Sequence, residues 1–102
     1  MTELDKHGIV RFSFFRPGVS RVAIATDVAG WEPQHSMRTN GNGWWSATLA
    51  LAGGEYRFRY VADGEWYTDF ASNGVEQRKG GGWDSILVVP TSEANGLVNI
   101  AM

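Results

Sequence analysis

From Glu55 to Ala62 the chain alternates strictly, with Tyr56, Phe58 and Tyr60 in one phase and Arg57 and Arg59 in the other. A period of two is the mark of a half-buried β-strand. Asp63-Gly64 follows, and then a second short strand pattern from Glu65 to Thr68. Asp and Gly tolerate the positive φ of a tight turn, so the stretch predicts a two-residue β-hairpin. Trp66 stands immediately beyond that turn. Trp31 sits in a second loop, Thr26-Asp27-Val28-Ala29-Gly30-Trp31-Glu32-Pro33. Loop backbone is normally solvated, and tryptophan carries one of the largest apolar surfaces of any side chain. Two such rings in turns point to a flat apolar platform for a ligand with flat apolar faces, of which a sugar ring is one.

The rest of the chain reads as further short strands. Ile9 to Phe15 places Val10, Phe12 and Phe14 on one face, and Arg16-Pro17-Gly18-Val19 ends it as a turn. Ser20 to Thr26 directs Val22 and Ile24 inward, residues 27–35 form a loop, and Ser36 to Thr39 reads as a short edge strand. Asn40-Gly41-Asn42-Gly43 is a turn, after which Trp45, Ala47, Leu49 and Leu51 recur with period two. Trp44 therefore faces outward, to cover the sheet or extend a platform. Residues 69–83 read as irregular, with Gly74, Gly80, Gly81 and Gly82, and Ser85 to Val89 is the last strand before Pro90. No window supports a long amphipathic helix. Six to seven short strands at a spacing of about 8–12 residues predict an all-β, immunoglobulin-like β-sandwich. Residues 1–90 are read as this one domain. Residues 91–102, with Leu97, Val98, Ile100 and Met102, are read as an apolar tail that adds an edge strand or docks on a partner.

Several function classes have little support. Nine basic and eleven acidic residues give a net charge of −2 with no basic block, so neither nucleic acid nor an anionic membrane is expected as a partner. No apolar run approaches the ~20 residues that span a bilayer. The start, Met1 to His7, is charged and lacks an apolar core, so no signal peptide is expected. Absence of cysteine fits a reducing compartment, and a cytoplasmic location is expected. His7 and His35 stand alone, so no metal site and no cofactor are expected. Asp63, Glu65, Asp69 and Asp84 are carboxylates that could cluster near the proposed platform. A glycosidase needs two carboxyls at a defined separation across a cleft, and each of these is equally explained by turns or solubility. No catalytic residue is assigned and no enzyme activity is expected.

The order V-x-I-x-T-D-V-A-G-W, N-G-W-W-S-A-T-L-A-L, G-G-E-Y-R-F-R-Y-V-A-D-G-E-W and G-G-W-D-S-I-L-V-V resembles the family 48 carbohydrate-binding modules. These include the glycogen-binding domain of the AMP-activated protein kinase beta subunit and the N-terminal domains of isoamylases and branching enzymes. The resemblance covers about residues 10–90. It implies an immunoglobulin-like sandwich of the early-set type and an α-1,4-linked glucan as ligand. It implies that Trp31 and Trp66 stack on glucose rings, and that Arg59 takes the place of a lysine that bonds sugar hydroxyls. Asp84-Ser85 stands where the family has an asparagine pair, with Asp84 as a hydroxyl partner. The loop Gln77-Arg78-Lys79-Gly80-Gly81-Gly82-Trp83 lacks the family's leucine, and Trp83 is the candidate to replace it.

The expected function is non-catalytic binding of a glycogen- or starch-like polysaccharide or maltooligosaccharide by aromatic stacking. The expected glucan site is Trp31, Arg59, Trp66, Trp83 and Asp84, and a glucan-active enzyme or a kinase subunit is the candidate protein partner. The alternative is a protein-interaction or regulatory scaffold domain of the same fold that binds no sugar.

Overall fold

The computed structural model describes residues 1–90. The tail read at 91–102 lies outside the described residues. Among the described residues ten short strands form two antiparallel sheets. They are β1 (Thr2–Leu4), β2 (Ile9–Phe15), β3 (Val22–Thr26), β4 (His35–Ser36), β5 (Arg38–Thr39), β6 (Trp44–Ala50), β7 (Gly54–Ala62), β8 (Glu65–Tyr67), β9 (Val75–Gln77) and β10 (Trp83–Val89). One sheet runs β1-β2-β6-β5. The other runs β4-β3-β7-β10-β9, with β8 also paired to β7.

The period-two pattern places the core as expected. Val10 and Phe12 of β2, Val22 and Ile24 of β3, Trp45 of β6, Tyr56, Phe58 and Tyr60 of β7, and Leu87 and Val89 of β10 are all buried. The sheets meet through aromatic pairs. Phe12 meets Phe58 edge-on at 5.1 Å between ring centroids, and Phe14 stacks on Tyr60 at 4.5 Å. A fully buried aromatic side chain of this kind contributes about 1.5–3 kcal/mol. The Tyr60 hydroxyl donates to Asp69 at 2.8 Å. Burial first, and then the Asp69 charge, hold its pKa well above the ordinary phenol value. Ser85, fully buried, accepts the Asp69 N–H at 2.7 Å.

Three local features depart from the sequence reading. The stretch 36–39 is not one edge strand. His35–Ser36 pairs with β3 and Arg38–Thr39 pairs with β6, so the chain changes sheets there. Met37, between the two, is buried and donates its N–H to Val22. The N-terminal residues Thr2–Leu4 form an added strand on β2. Residues 69–83 are not wholly irregular, because Val75–Gln77 pairs with β10 in the register Trp83 with Gln77 and Ser85 with Val75.

Candidate functional site

The β7–β8 hairpin sets the floor of the site. Asp63 and Gly64 take φ of 49° and 86°, as the two-residue turn requires. The Asp63 carboxylate accepts the N–H groups of Ser20 and Arg21, and its own N–H is donated to Arg21. The turn is thereby tied to the chain entering β3. Across the hairpin Trp66 lies opposite Val61. Val61 shares its phase with Arg59 and Arg57, on the face turned away from the core.

Trp31 reaches the same face from the loop after β3. A single 3-10 turn, Asp27–Ala29, follows Thr26, and its Asp27 carboxylate accepts the Arg57 N–H at 3.1 Å. Gly30 then takes φ of 67° and Trp31 takes φ of 63°, with the Trp31 N–H donated to Thr26 at 2.8 Å. A left-handed tryptophan is strained, because its Cβ crowds the neighbouring carbonyl. This strain makes a specific expectation. Trp31→Gly should be more stable than Trp31→Ala by roughly 1 kcal/mol, the reverse of the usual order in regular structure. Paired thermal melts of the two variants check it, and an alanine variant as stable as the glycine one would contradict it.

The two indoles meet edge to face, with centroids 6.4 Å apart and planes inclined at 63°. The Arg59 guanidinium lies over the Trp66 ring at 5.4 Å, and that of Arg78 lies over the Trp31 ring at 4.9 Å. Such contacts are worth about 0.5–1 kcal/mol each at exposed positions. Together Trp31, Arg59, Trp66 and Arg78 line an open concavity of about 250 Å³, just below the usual size of a small-molecule pocket. Trp66 remains 41% exposed although it is among the largest apolar side chains present. A larger hollow of about 410 Å³ lies against the other sheet and includes Arg11, Arg38 and Trp44. Trp45 also reaches it, but that ring is buried in the core at 7% exposure, so Trp44 is the one exposed indole there.

Arg78 is the lining residue that sequence reasoning missed. It stands just after β9, in the loop returning to β10. The loop closes through Arg78 N–H to Gly82 and Gly81 N–H to Arg78, with Gly80, Gly81 and Gly82 all at positive φ. The triple glycine is therefore the tight return that brings Arg78 beside Trp31. Asp84 does not line the concavity. It is largely buried, and its carboxylate accepts from Arg78 Nη1 at 2.7 Å, so it positions that arginine. Trp83 does not line it either. It shares the phase of Ser85 and Leu87 at the end of β10 and is 41% exposed. Its carbonyl accepts the Thr68 hydroxyl.

The carboxylates near the hairpin are engaged by protein donors. Asp63 holds the turn, Asp69 takes the Tyr60 hydroxyl, Asp84 holds Arg78 and Glu65 accepts from Tyr67. Among the described residues no group of three or more His, Cys, Asp or Glu side chains is placed to hold a metal ion.

The fold and this surface define a class: an immunoglobulin-like sandwich with an open concavity lined by two indoles and two guanidiniums. The chain belongs to the family described as the glycogen recognition site of AMP-activated protein kinase, which it matches over residues 10–94. It is 39% identical over 59 residues to a 1,4-alpha-glucan branching enzyme, GlgB 2, of Xanthomonas campestris pv. campestris, a match covering 54% of this chain and 8% of the relative. It is 34% identical over 50 residues to Protein PTST homolog 2, chloroplastic, of Arabidopsis thaliana, covering 49% of this chain and 9% of that protein. Among solved structures it resembles a putative alpha amylase from Salmonella typhimurium, with a TM-score of 0.65 and 26% identity over 85% of this chain and 14% of the amylase chain. The chain thus spans about a tenth of the length of these relatives.

Proposed function

We propose that this chain is a non-catalytic module that binds α-1,4-linked glucan by stacking glucose rings on Trp31 and Trp66. The observation that carries the proposal is the pair of inclined, solvent-facing indoles held 6.4 Å apart beside two guanidiniums. Rings set at an angle suit a curved α-1,4 chain, and N–H groups of Arg59 and Arg78 are at hand for sugar hydroxyls. Membership of the glycogen-recognition family and the likeness to a 1,4-alpha-glucan branching enzyme support the same reading. The concavity is shallow, so a short oligosaccharide gains little buried area and binds weakly. Several copies on one polymer would raise the apparent affinity. In the proposed setting the module brings a glucan-active enzyme to its polymer.

Tryptophan fluorescence titrated with maltoheptaose, glycogen and a cellulose oligomer tests the ligand class. The two α-linked ligands are expected to change the signal saturably and the β-linked one to leave it flat. Equal response to both linkages, or to neither, would overturn the proposal.

A second reading, a protein-docking domain, is favoured by one observation. Phe15 and Trp44 are 52% and 45% exposed and pack together at 5.1 Å on the other sheet. It predicts retention on a glucan-active enzyme that Trp44→Ser loses while maltoheptaose binding persists.

A further inference from the structure

The concavity carries an uncompensated positive charge. Arg59 and Arg78 both line it, while the carboxylate bonded there, Asp84, is taken by Arg78. Arg59 makes no ion pair among the described residues. Its Nε, closed off from solvent, has no acceptor. Burial, and then the charge of Arg78, lower the Arg59 pKa, and Asp84 only partly opposes them. Arg57 is a built-in contrast. It lies two residues away on the same face, and Glu55 and Glu76 both bond it.

An unpaired, partly desolvated guanidinium beside a like charge is poorly stabilised in the free protein. A neutral glucose hydroxyl accepts one of its N–H groups but brings no counter-charge. An anionic group brings both, and charge-assisted hydrogen bonds are about twice as strong as neutral ones. The planar fork of arginine also matches the oxygens of a phosphate. A phosphate monoester near pH 7 carries a charge of about −1.5 to −2 and three acceptor oxygens. That is enough to engage two guanidiniums at once.

We infer that the site prefers a glucan chain bearing a phosphate monoester, with the phosphate held by Arg59 and Arg78 and the sugar faces on Trp31 and Trp66. This inference rests on the glucan reading above and names the form of glucan that the charge selects. Neutral α-glucan binds as well, through the rings, but less tightly.

Calorimetric titration tests this with phosphate-bearing maltodextrins, the same dextrins after phosphatase treatment, and free glucose 6-phosphate. At low salt the phosphorylated dextrin is expected to bind roughly five- to tenfold more tightly than the dephosphorylated one. The ratio should fall below about two near 0.5 M salt, where screening is short-ranged. Arg59→Gln should bring the low-salt ratio toward one, Arg59→Lys should keep part of it, and Arg57→Gln should leave it as in the parent. Equal affinity of the parent protein for the two dextrins overturns the phosphate preference while leaving glucan binding in place. Binding of neither dextrin overturns the glucan reading itself. Glucose 6-phosphate binding as tightly as the phosphorylated dextrin would contradict a phosphate carried on a chain and assign the site to a free sugar phosphate.

Discussion

Trp45→Ala is expected to lower the stability of the fold by about 3–5 kcal/mol, the range for truncating a buried tryptophan. Trp45 is 7% exposed, and its indole N–H is donated to the Arg16 carbonyl at 3.2 Å. The variant loses packing at the interface between the sheets and also leaves that carbonyl short of a partner. Domains of this size have a total stability of only about 5–15 kcal/mol, so the variant should be largely unfolded at moderate urea. Trp44→Ala is the matched control, since the adjacent ring is 45% exposed and should cost no more than about 1 kcal/mol. Urea titrations of both proteins measure the difference. Equal midpoints would mean that the alternation along β6 does not define the core.

Trp66→Ala should weaken glucan binding by about 1–3 kcal/mol, the worth of a large aromatic contact, and Trp31→Ala should do the same. Neither change empties the core, so Trp66→Ala should melt within about 1 kcal/mol of the parent. The rings touch at 6.4 Å, so the double variant should lose less than the sum of the single losses. Glycogen pull-downs beside thermal melts separate the two effects. A Trp66→Ala protein that melts like Trp45→Ala would show that the ring is part of the core.

The legible parts of this chain are those governed by nearest-neighbour periodicity. The alternation from Glu55 to Ala62 assigns Tyr56, Phe58 and Tyr60 to the core because a strand has only two faces. The same rule separates Trp44 from Trp45. Asp63-Gly64 fixes the register of β7 on β8, and that register sets Trp66 on the face of Arg59. What escaped was decided by contacts between distant segments. β9 is only three residues long and exists because β10 lies alongside it. The split at Met37 depends on which sheet offers each half a partner. Arg78 meets Trp31 through two separate loops, and no local pattern encodes that approach. The phase of β10 could have warned against Trp83, since Ser85 and Leu87 point inward and Trp83 shares their phase. The opposite phase puts Asp84 on the side of the concavity, where Arg78 occupies its carboxylate.

The central claim is that glucan binds at the Trp31–Trp66 surface, and the five indole N–H signals of this chain report on it directly by NMR. On titration with maltoheptaose, the resonances of Trp31 and Trp66 should move together along one saturable curve while those of Trp44, Trp45 and Trp83 stay in place. Shifts concentrated at Trp44 or Trp83, or no shift at any indole at saturating maltoheptaose, would contradict it.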